Sequence, residues 1–355
     1  MENKKLNLLI IGPISPPAGG ISIHIERLGH LLKNDFFIDI IDESKEKKKG
    51  SFNLRSCNII EYIKKILKSD VVFIHSGNII LKKSHLIISK LFLKKTILTF
   101  HGFSHRRKHE ISNRIDNYFY SLSNKLIFVN KDIEIKNKIA KNKYIIQHAF
   151  IPPIKDELVK LPSIIDDRIS IAKINNEIII CANASKLIKF NNEDLYGLDM
   201  CITVTERLLR KNIKIFFVFV VCSLEHGAEL FHQYQKLITD LEIDKNFLLI
   251  NIDLPFYKLI QKSNIVVRPT NTDGDSLTIR EALFLNKKVL ASDVTNRPDN
   301  TILFKNRNTD DFEEKLITLI ENEKNVNQRN YQHKNSTNNI YNDYRELYKK
   351  IIQST

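Results

Sequence analysis

Three observations in the sequence predict an α/β protein built from two doubly wound, Rossmann-like halves. Short Ile/Val/Leu-rich runs alternate with longer helical patterns along the chain. The alternation pauses once, at residues 151–167, which hold Pro152, Pro153 and Pro162 among several charges, and then restarts. The length, 355 residues, exceeds what one hydrophobic core serves, so two domains of about 150–200 residues are expected.

The elements follow in order. Leu6–Ile11 reads as a strand, a Gly/Pro loop follows, and Ile21–Leu32 reads as a helix. Val71–His75 is a strand, Ile79–Leu93 a helix, and Thr96–Phe100 and Lys125–Val129 are strands. Continuous apolar strands separated by helices imply a parallel sheet covered on both faces. Residues 151–167 read as the linker. Beyond it, strands are expected at Ile178–Ala182, Ile215–Cys222, Phe247–Ile250, Ile265–Arg268 and Lys288–Ser292. Helices are expected at Gly197–Arg210, Ala228–Leu241, Phe256–Lys262 and Leu277–Leu285. The last segment, Ser336–Ile352, is polar and helical, with Tyr341, Tyr344, Leu347 and Tyr348 on one side.

Charge is unevenly placed. Residues 1–150 carry 27 basic and 13 acidic groups, whereas residues 151–355 carry 28 of each, so the whole excess of +14 lies in the first half. A basic half suits nucleic acid, anionic lipid or phosphorylated substrates. No helix-turn-helix, zinc-finger or aromatic RNA-binding pattern accompanies it, which disfavours a nucleic-acid-binding protein. The four cysteines, Cys57, Cys181, Cys201 and Cys222, have no Cys-x-x-Cys spacing, so a reduced, cytoplasmic protein without a disulfide framework or zinc–cysteine site is expected. No apolar run is long enough for a membrane span, and the N-terminal run is too short for a signal peptide.

In doubly wound sheets, ligands bind beyond the carboxyl ends of the strands. Three loops there carry chemistry. Gly19 and Gly20 precede a helix, where backbone N–H groups can approach an anion; the plainer reading is a turn. His101, directly after a strand, can bond a substrate hydroxyl. His101, His105 and His109 are spaced by four, but Arg106, Arg107 and Lys108 between them would repel a cation, so a metal face is set aside. The third loop runs from Arg268 to Ala282. An acidic, Gly-containing stretch leads into a helix near Ser276, whose first amides (Ser276, Leu277, Thr278) can hold phosphate or sugar oxygens. Glu281 lies one turn in, where a carboxylate can accept two ribose hydroxyls. The bland alternative is an N-cap made by Asp273 or Asp275, with Glu281 solvated.

Asp273-x7-Glu281, followed by Ala282-Leu-Phe-Leu-Asn-Lys-Lys-Val-Leu-Ala-Ser-Asp293, resembles the Glu-x7-Glu region of retaining GT-B glycosyltransferases, family four in particular. Gly19-Gly20, His101-Gly102 and Tyr196-Gly197-Leu198-Asp199 fall where that family has its Gly-Gly, His and Lys-Gly elements. The resemblance implies a GT-B fold, two Rossmann-like domains facing each other across a cleft. Residues 1–160 would form the acceptor domain, 161–335 the nucleotide-sugar donor domain, and helix 336–355 would cross back onto the first. It also implies roles. Glu281 would bind the nucleotide ribose, Asp273 would lie beside the donor sugar, and Asp275, Ser276, Leu277 and Thr278 would hold sugar hydroxyls and diphosphate. His101 would touch the transferred sugar, and Gly19 and Gly20 would close over the phosphates. Such enzymes are similar in needing no metal or cofactor, because positive groups and helix dipoles stabilise the leaving diphosphate.

Two departures stand out. Asp273 replaces the first Glu, and the family's Arg and Lys after the first strand of the second domain are missing from Ala182–Lys189. Tyr196 also stands where Lys often precedes Gly, and the charge could come from Lys186, Lys189 or Arg268, with Lys186 and Arg268 the favoured replacements. Asp273-Gly-Asp275 also spells the Asp-x-Asp metal motif of GT-A enzymes, set aside because it lies late in the chain with Glu281 behind it. The expected reaction is transfer from a nucleoside-diphosphate sugar, UDP-sugar first, to a glycan or polyprenyl-linked acceptor in bacterial surface-polysaccharide synthesis. A GT-B nucleotide-sugar epimerase is the alternative. The basic, amphipathic 79–95 segment reads equally as a core-facing helix or as a peripheral contact with the inner face of the cytoplasmic membrane.

Overall fold

The computed structural model describes residues 5–16, 19–45, 47–101, 110–130, 143–153, 160–326 and 337–355. Two compact units form, one from Met1–Pro152 with Asn335–Thr355, the other from Pro153–Lys334.

The first unit alternates strands and helices: β1 (Asn7–Gly12), α1 (Gly20–Leu32), β2 (Phe37–Asp42), α2 (Ile59–Lys68), β3 (Val71–Ile74), α3 (Ile79–Leu91), β4 (Lys95–Phe100), α4 (Glu110–Ser121), β5 (Lys125–Phe128) and β6 (Tyr144–Ile146). Its six strands are all parallel, in the order β2-β1-β3-β4-β5-β6. Alternate strand residues serve opposite faces. Leu8, Ile10 and Phe73 pack towards α1, whereas Leu9, Ile11, Val72 and Ile74 pack towards Tyr62 and Ile66 of α2 and Leu86 of α3.

The second unit contains α5 (Ser163–Ile174), β7 (Ile178–Lys186), a two-strand ribbon β8 (Lys189–Phe190) and β9 (Glu193–Asp194), α6 (Leu198–Arg210), β10 (Ile215–Ser223), α7 (Ala228–Asp240), β11 (Phe247–Asn251) and α8 (Phe256–Lys262). It continues through β12 (Ile265–Arg268), α9 (Leu277–Phe284), β13 (Lys288–Ser292), β14 (Ile302–Phe304) and α10 (Thr309–Val326). The parallel sheet has the order β11-β10-β7-β12-β13-β14. Counting only these six strands, that is 3-2-1-4-5-6, the arrangement of dinucleotide-binding folds. Ile178, Ile180 and Ala182 of β7 face α6, α7 and α10, and Ile179 and Cys181 face α5, α8 and α9.

The final helix, α11 (Thr337–Gln353), belongs to the first unit. Tyr348, Ile351 and Ile352 enter the α1-side core, each less than 5% exposed, and each large apolar side chain so buried stabilises by about 1.5–3 kcal/mol. Arg345 adds a bidentate pair with Asp35, at 2.6 and 2.8 Å.

Two expectations need correction. The proline-marked stretch 151–167 is not all linker, because α5 starts at Ser163 with Pro162 at its cap, a position that tolerates a missing N–H. The 79–95 segment is not one helix: α3 ends at Leu91 and β4 begins at Lys95. Its buried side is polar, with Lys82, His85 and Ser89 beside Leu86, while Ile80 and Leu91 are 69% and 74% exposed. Among the described residues, no helix is long and apolar enough to cross a membrane.

Candidate active site

A doubly wound sheet opens a crevice where successive crossovers run to opposite sides. In the second unit that point lies between β7 and β12, since the chain leaves β7 towards β10 and β11 and returns to β12 on the other side. The loops after β7 and β12 flank it. The segments singled out from sequence lie there: Lys186 at the end of β7, and the stretch from Arg268 at the end of β12 to Glu281 in α9.

At the end of β12, Arg268 donates from Nε to Asp273 Oδ2 at 3.1 Å and from Nη1 to the Asn183 carbonyl at 3.2 Å. Arg297, beyond β13, donates from Nη1 to the same Asp273 oxygen at 2.8 Å. It also donates from Nε to the Ser292 carbonyl at 3.1 Å and from Nη2 to Thr270 Oγ1 at 3.2 Å. Thr270 Oγ1 donates to Asp273 Oδ2 at 3.2 Å, and the Gly274 amide to Oδ1 at 3.1 Å. Asp273 is therefore a clamp between two guanidinium groups. Burial alone would raise its carboxyl pKa, but the charges and hydrogen bonds of Arg268 and Arg297 outweigh burial and hold it below the usual carboxylate range. Two arginines against one aspartate leave this cluster with a net positive charge.

Asp275 is paired with Arg280, Nε to Oδ1 at 2.6 Å. Neither aspartate caps α9. The cap is Ser276, whose Oγ accepts from the Ile279 amide, which corrects the sequence reading of the cap. The short hydroxyl accepts from the Ile279 amide while the two carboxylates are held by arginines. Leu277 and Thr278 thus form the first turn of a capped helix whose dipole points at the crevice. Thr278 Oγ1 donates to Asn183 Oδ1 at 2.9 Å, tying α9 to β7. Glu281 is 3% exposed rather than solvated.

Tyr196 and Gly197 complete the cluster. The Arg268 guanidinium lies 5.1 Å from the Tyr196 ring centroid, and Tyr196 OH is 2.6 Å from Ser185 Oγ. Gly197 has φ of +69°, and a Cβ there would sit 2.3 Å from the Pro269 carbonyl oxygen. Only glycine allows this approach. Lys186 ends β7 and is half-buried.

In the first unit the crossover reverses between β1 and β3. Gly19 is the N-cap of α1 in extended backbone, its amide donating to Ser22 Oγ at 2.9 Å, and Gly20 opens the helix with open space beside it. His101, after β4, lies with Nε2 3.0 Å from His75 Nδ1. His105, His109 and the Arg106–Lys108 run lie outside the described residues. Lys82 is fully buried, donates to the Thr99 carbonyl at 3.2 Å and sits 4.3 Å from the Phe100 ring centroid. Burial pulls its amine down to about 7.

Sequence reasoning missed Arg297, His24 and His75. The only local signals were Arg297-Pro298 shortly after a strand and His75 directly at a strand end.

No protein-family model matches the sequence, and no curated protein does. Solved structures do. A glycosyltransferase from Rickettsia africae superposes with a TM-score of 0.70 and 17% identity, covering 99% of this chain and 100% of that one. Anabaena HepE in complex with UDP-glucose gives 0.67 at 11% identity, over 89% and 90%. Sucrose-phosphate synthase from Thermosynechococcus elongatus gives 0.63 at 12%, over 98% and 100%. The fold is GT-B. Within this GT-B chain, His101, Gly19 and Gly20 belong to the first unit, and Lys186, Arg268, Asp273, Asp275, Ser276, Leu277, Thr278 and Glu281 to the second.

Proposed function

We propose that this chain is a retaining glycosyltransferase that moves a sugar from a nucleoside-diphosphate sugar, UDP-sugar first, to a glycan or polyprenyl-linked glycan in bacterial surface-polysaccharide synthesis. The observation that carries the reading is the Arg268–Asp273–Arg297 cluster beside the N-terminus of α9, at the crevice of a 3-2-1-4-5-6 sheet. Excess positive charge and a helix N-terminus at that point suit a diphosphate. UDP-glucose in the similar HepE structure supports the choice of donor.

In the proposed reaction the bond from the sugar C1 to the phosphate oxygen breaks and a bond from C1 to the acceptor oxygen forms on the same face. The departing phosphate oxygen takes the acceptor's proton, so no protein base is assigned. Arg268 and the α9 amides neutralise the leaving diphosphate, Glu281 holds the ribose, and His101 contacts the transferred sugar. The transfer step itself draws on no metal.

The lysine-rich first unit would meet an anionic membrane on its cytoplasmic face. Ile59, Ile60 and Leu67 of α2 and Ile80, Leu91 and Leu93 of the α3 region are exposed beside exposed Lys64, Lys68 and Lys95. Apolar side chains among lysines favour the interface of an anionic bilayer.

A binding screen of nucleotide sugars tests the reading, followed by Glu281→Ala. The variant should stay folded and lose most donor affinity and turnover. Unchanged values for both would overturn the site. Turnover of donor without any acceptor would point to an epimerase instead.

A further inference from the structure

We infer that His24, His75 and His101 form a binding site for a transition-metal ion of the zinc type in the first unit. The inference stands on the geometry of that unit alone, and it shares His101 with the proposed sugar contact.

Three elements bring these residues to the crossover point of the first sheet. His24 is in α1, His75 directly follows β3, and His101 directly follows β4. The His75 amide donates to the Ile11 carbonyl at 2.7 Å, which seats it against β1. Gly12 makes room: a Cβ there would lie 2.6 Å from Ile25 Cδ1 and 3.2 Å from His75 Cβ. The three rings form a nearly even triangle, with centroids 5.0, 5.3 and 5.3 Å apart. One nitrogen from each ring can be chosen so that all three lie within 4.8 Å of one another.

The hydrogen bonds fit ligation. His24 Nδ1 is 2.6 Å from the Ala149 carbonyl oxygen. A carbonyl only accepts, so Nδ1 carries the proton and Nε2 keeps its lone pair. Metal-bound histidines are commonly oriented by such a bond from the second nitrogen to a backbone carbonyl. His75 Nδ1 and His101 Nε2 are 3.0 Å apart with one proton between them. Two nitrogens on one tetrahedral zinc, each bound at about 2.0–2.1 Å, stand roughly 3.3–3.4 Å apart. A proton therefore bridges a pair whose spacing is close to that of two ligands. His75 is wholly buried.

The chemistry selects the ion. Imidazoles without a carboxylate suit zinc, cobalt, nickel or copper rather than magnesium or calcium. Burial lowers the pKa of His24 to about 4 and that of His75 well below the ordinary imidazole value. Arg27 and Lys82 are nearby positive groups that limit the affinity for a dication. Three ligands leave a fourth tetrahedral position for water or a substrate oxygen. The bound ion would tie α1 to the ends of β3 and β4.

The test uses the full chain stripped by a chelator and dialysed against Zn2+ or Co2+. One Zn2+ per chain, a higher melting temperature in its presence, and a tetrahedral Co2+ absorption spectrum are expected. His24→Gln, His75→Gln and His101→Ala should each weaken Zn2+ binding by more than about tenfold. His101→Ala removes the least buried ring, and the wild-type Co2+ spectrum needs no variant at all, so misfolding of the other two does not block the test. Absence of stoichiometric Zn2+ binding by the wild type, or an octahedral Co2+ spectrum, overturns the inference. Binding kept by folded variants also overturns it, and leaves the trio as a hydrogen-bonded imidazole cluster only.

Discussion

Asp273→Asn separates a clamp from a mere surface acid. The substitution keeps size and one acceptor oxygen but removes the charge between Arg268 and Arg297, whose side chains are 13% and 2% exposed. Breaking a buried ion pair from one side costs about 3–5 kcal/mol, because a charge is left uncompensated. For a unit of about 180 residues this corresponds to a fall in melting temperature of roughly 6–20 °C. Calorimetry of the full chain reads it, with the shift expected in the transition of the second unit. The pH dependence has a definite sign. The folded pKa of Asp273 lies below its unfolded value of about 3.9. Its contribution is therefore fully present above pH 4 and is lost as pH falls through the folded pKa. The gap between wild type and variant should be constant near neutrality and close in acid. A melting temperature within about 2 °C of wild type at pH 7 would refute the clamp, as would a gap that persists undiminished in strong acid.

Three further outcomes are expected. Gly197→Ala should cost at least about 2 kcal/mol in chemical denaturation, from left-handed backbone and the clash with Pro269, and should weaken donor binding by shifting the Arg268 loop. Lys186→Ala should lower donor affinity in calorimetric titration, and wild-type affinity and turnover would remove Lys186 from phosphate binding. Replacing Ile80, Leu91 and Leu93 together by Glu should reduce co-sedimentation with anionic vesicles; wild-type sedimentation that ignores anionic lipid content would exclude the membrane role.

Much of the second unit was legible because its inner strands are buried on both faces and read as unbroken apolar runs. Ile265–Arg268, Lys288–Ser292 and the helix Phe256–Lys262 appear with the bounds expected from sequence. Of the four edge strands of the six-stranded sheets, only Phe247–Asn251 was legible. Phe37–Asp42 alternates, with Phe37 and Asp39 exposed, and Tyr144–Ile146 and Ile302–Phe304 have three residues each. The helices Ile59–Lys68 and Thr309–Val326 were also missed as elements, being rich in charge. At the candidate site, the acidic loop and Glu281 were visible because they are contiguous. Arg297 was not, since it meets Asp273 only through the fold, and the same holds for His24 and His75, which come from separate elements. The polar inner face of α3 inverted the expected pattern because Lys82 and His85 find buried partners, Thr99 and Glu43.

The return of α11 to the first core sets an order on biosynthesis. Residues 1–152 leave the ribosome first, yet Tyr348, Ile351 and Ile352 that complete their core emerge about 200 residues later, roughly 10–40 s at usual elongation rates. During that interval the α1 side of the first sheet lacks the part of its cover that α11 supplies, while the second unit is synthesised without interruption. The half of the chain made first is therefore the last to be finished, and its nascent apolar face is where a chaperone would be expected to act.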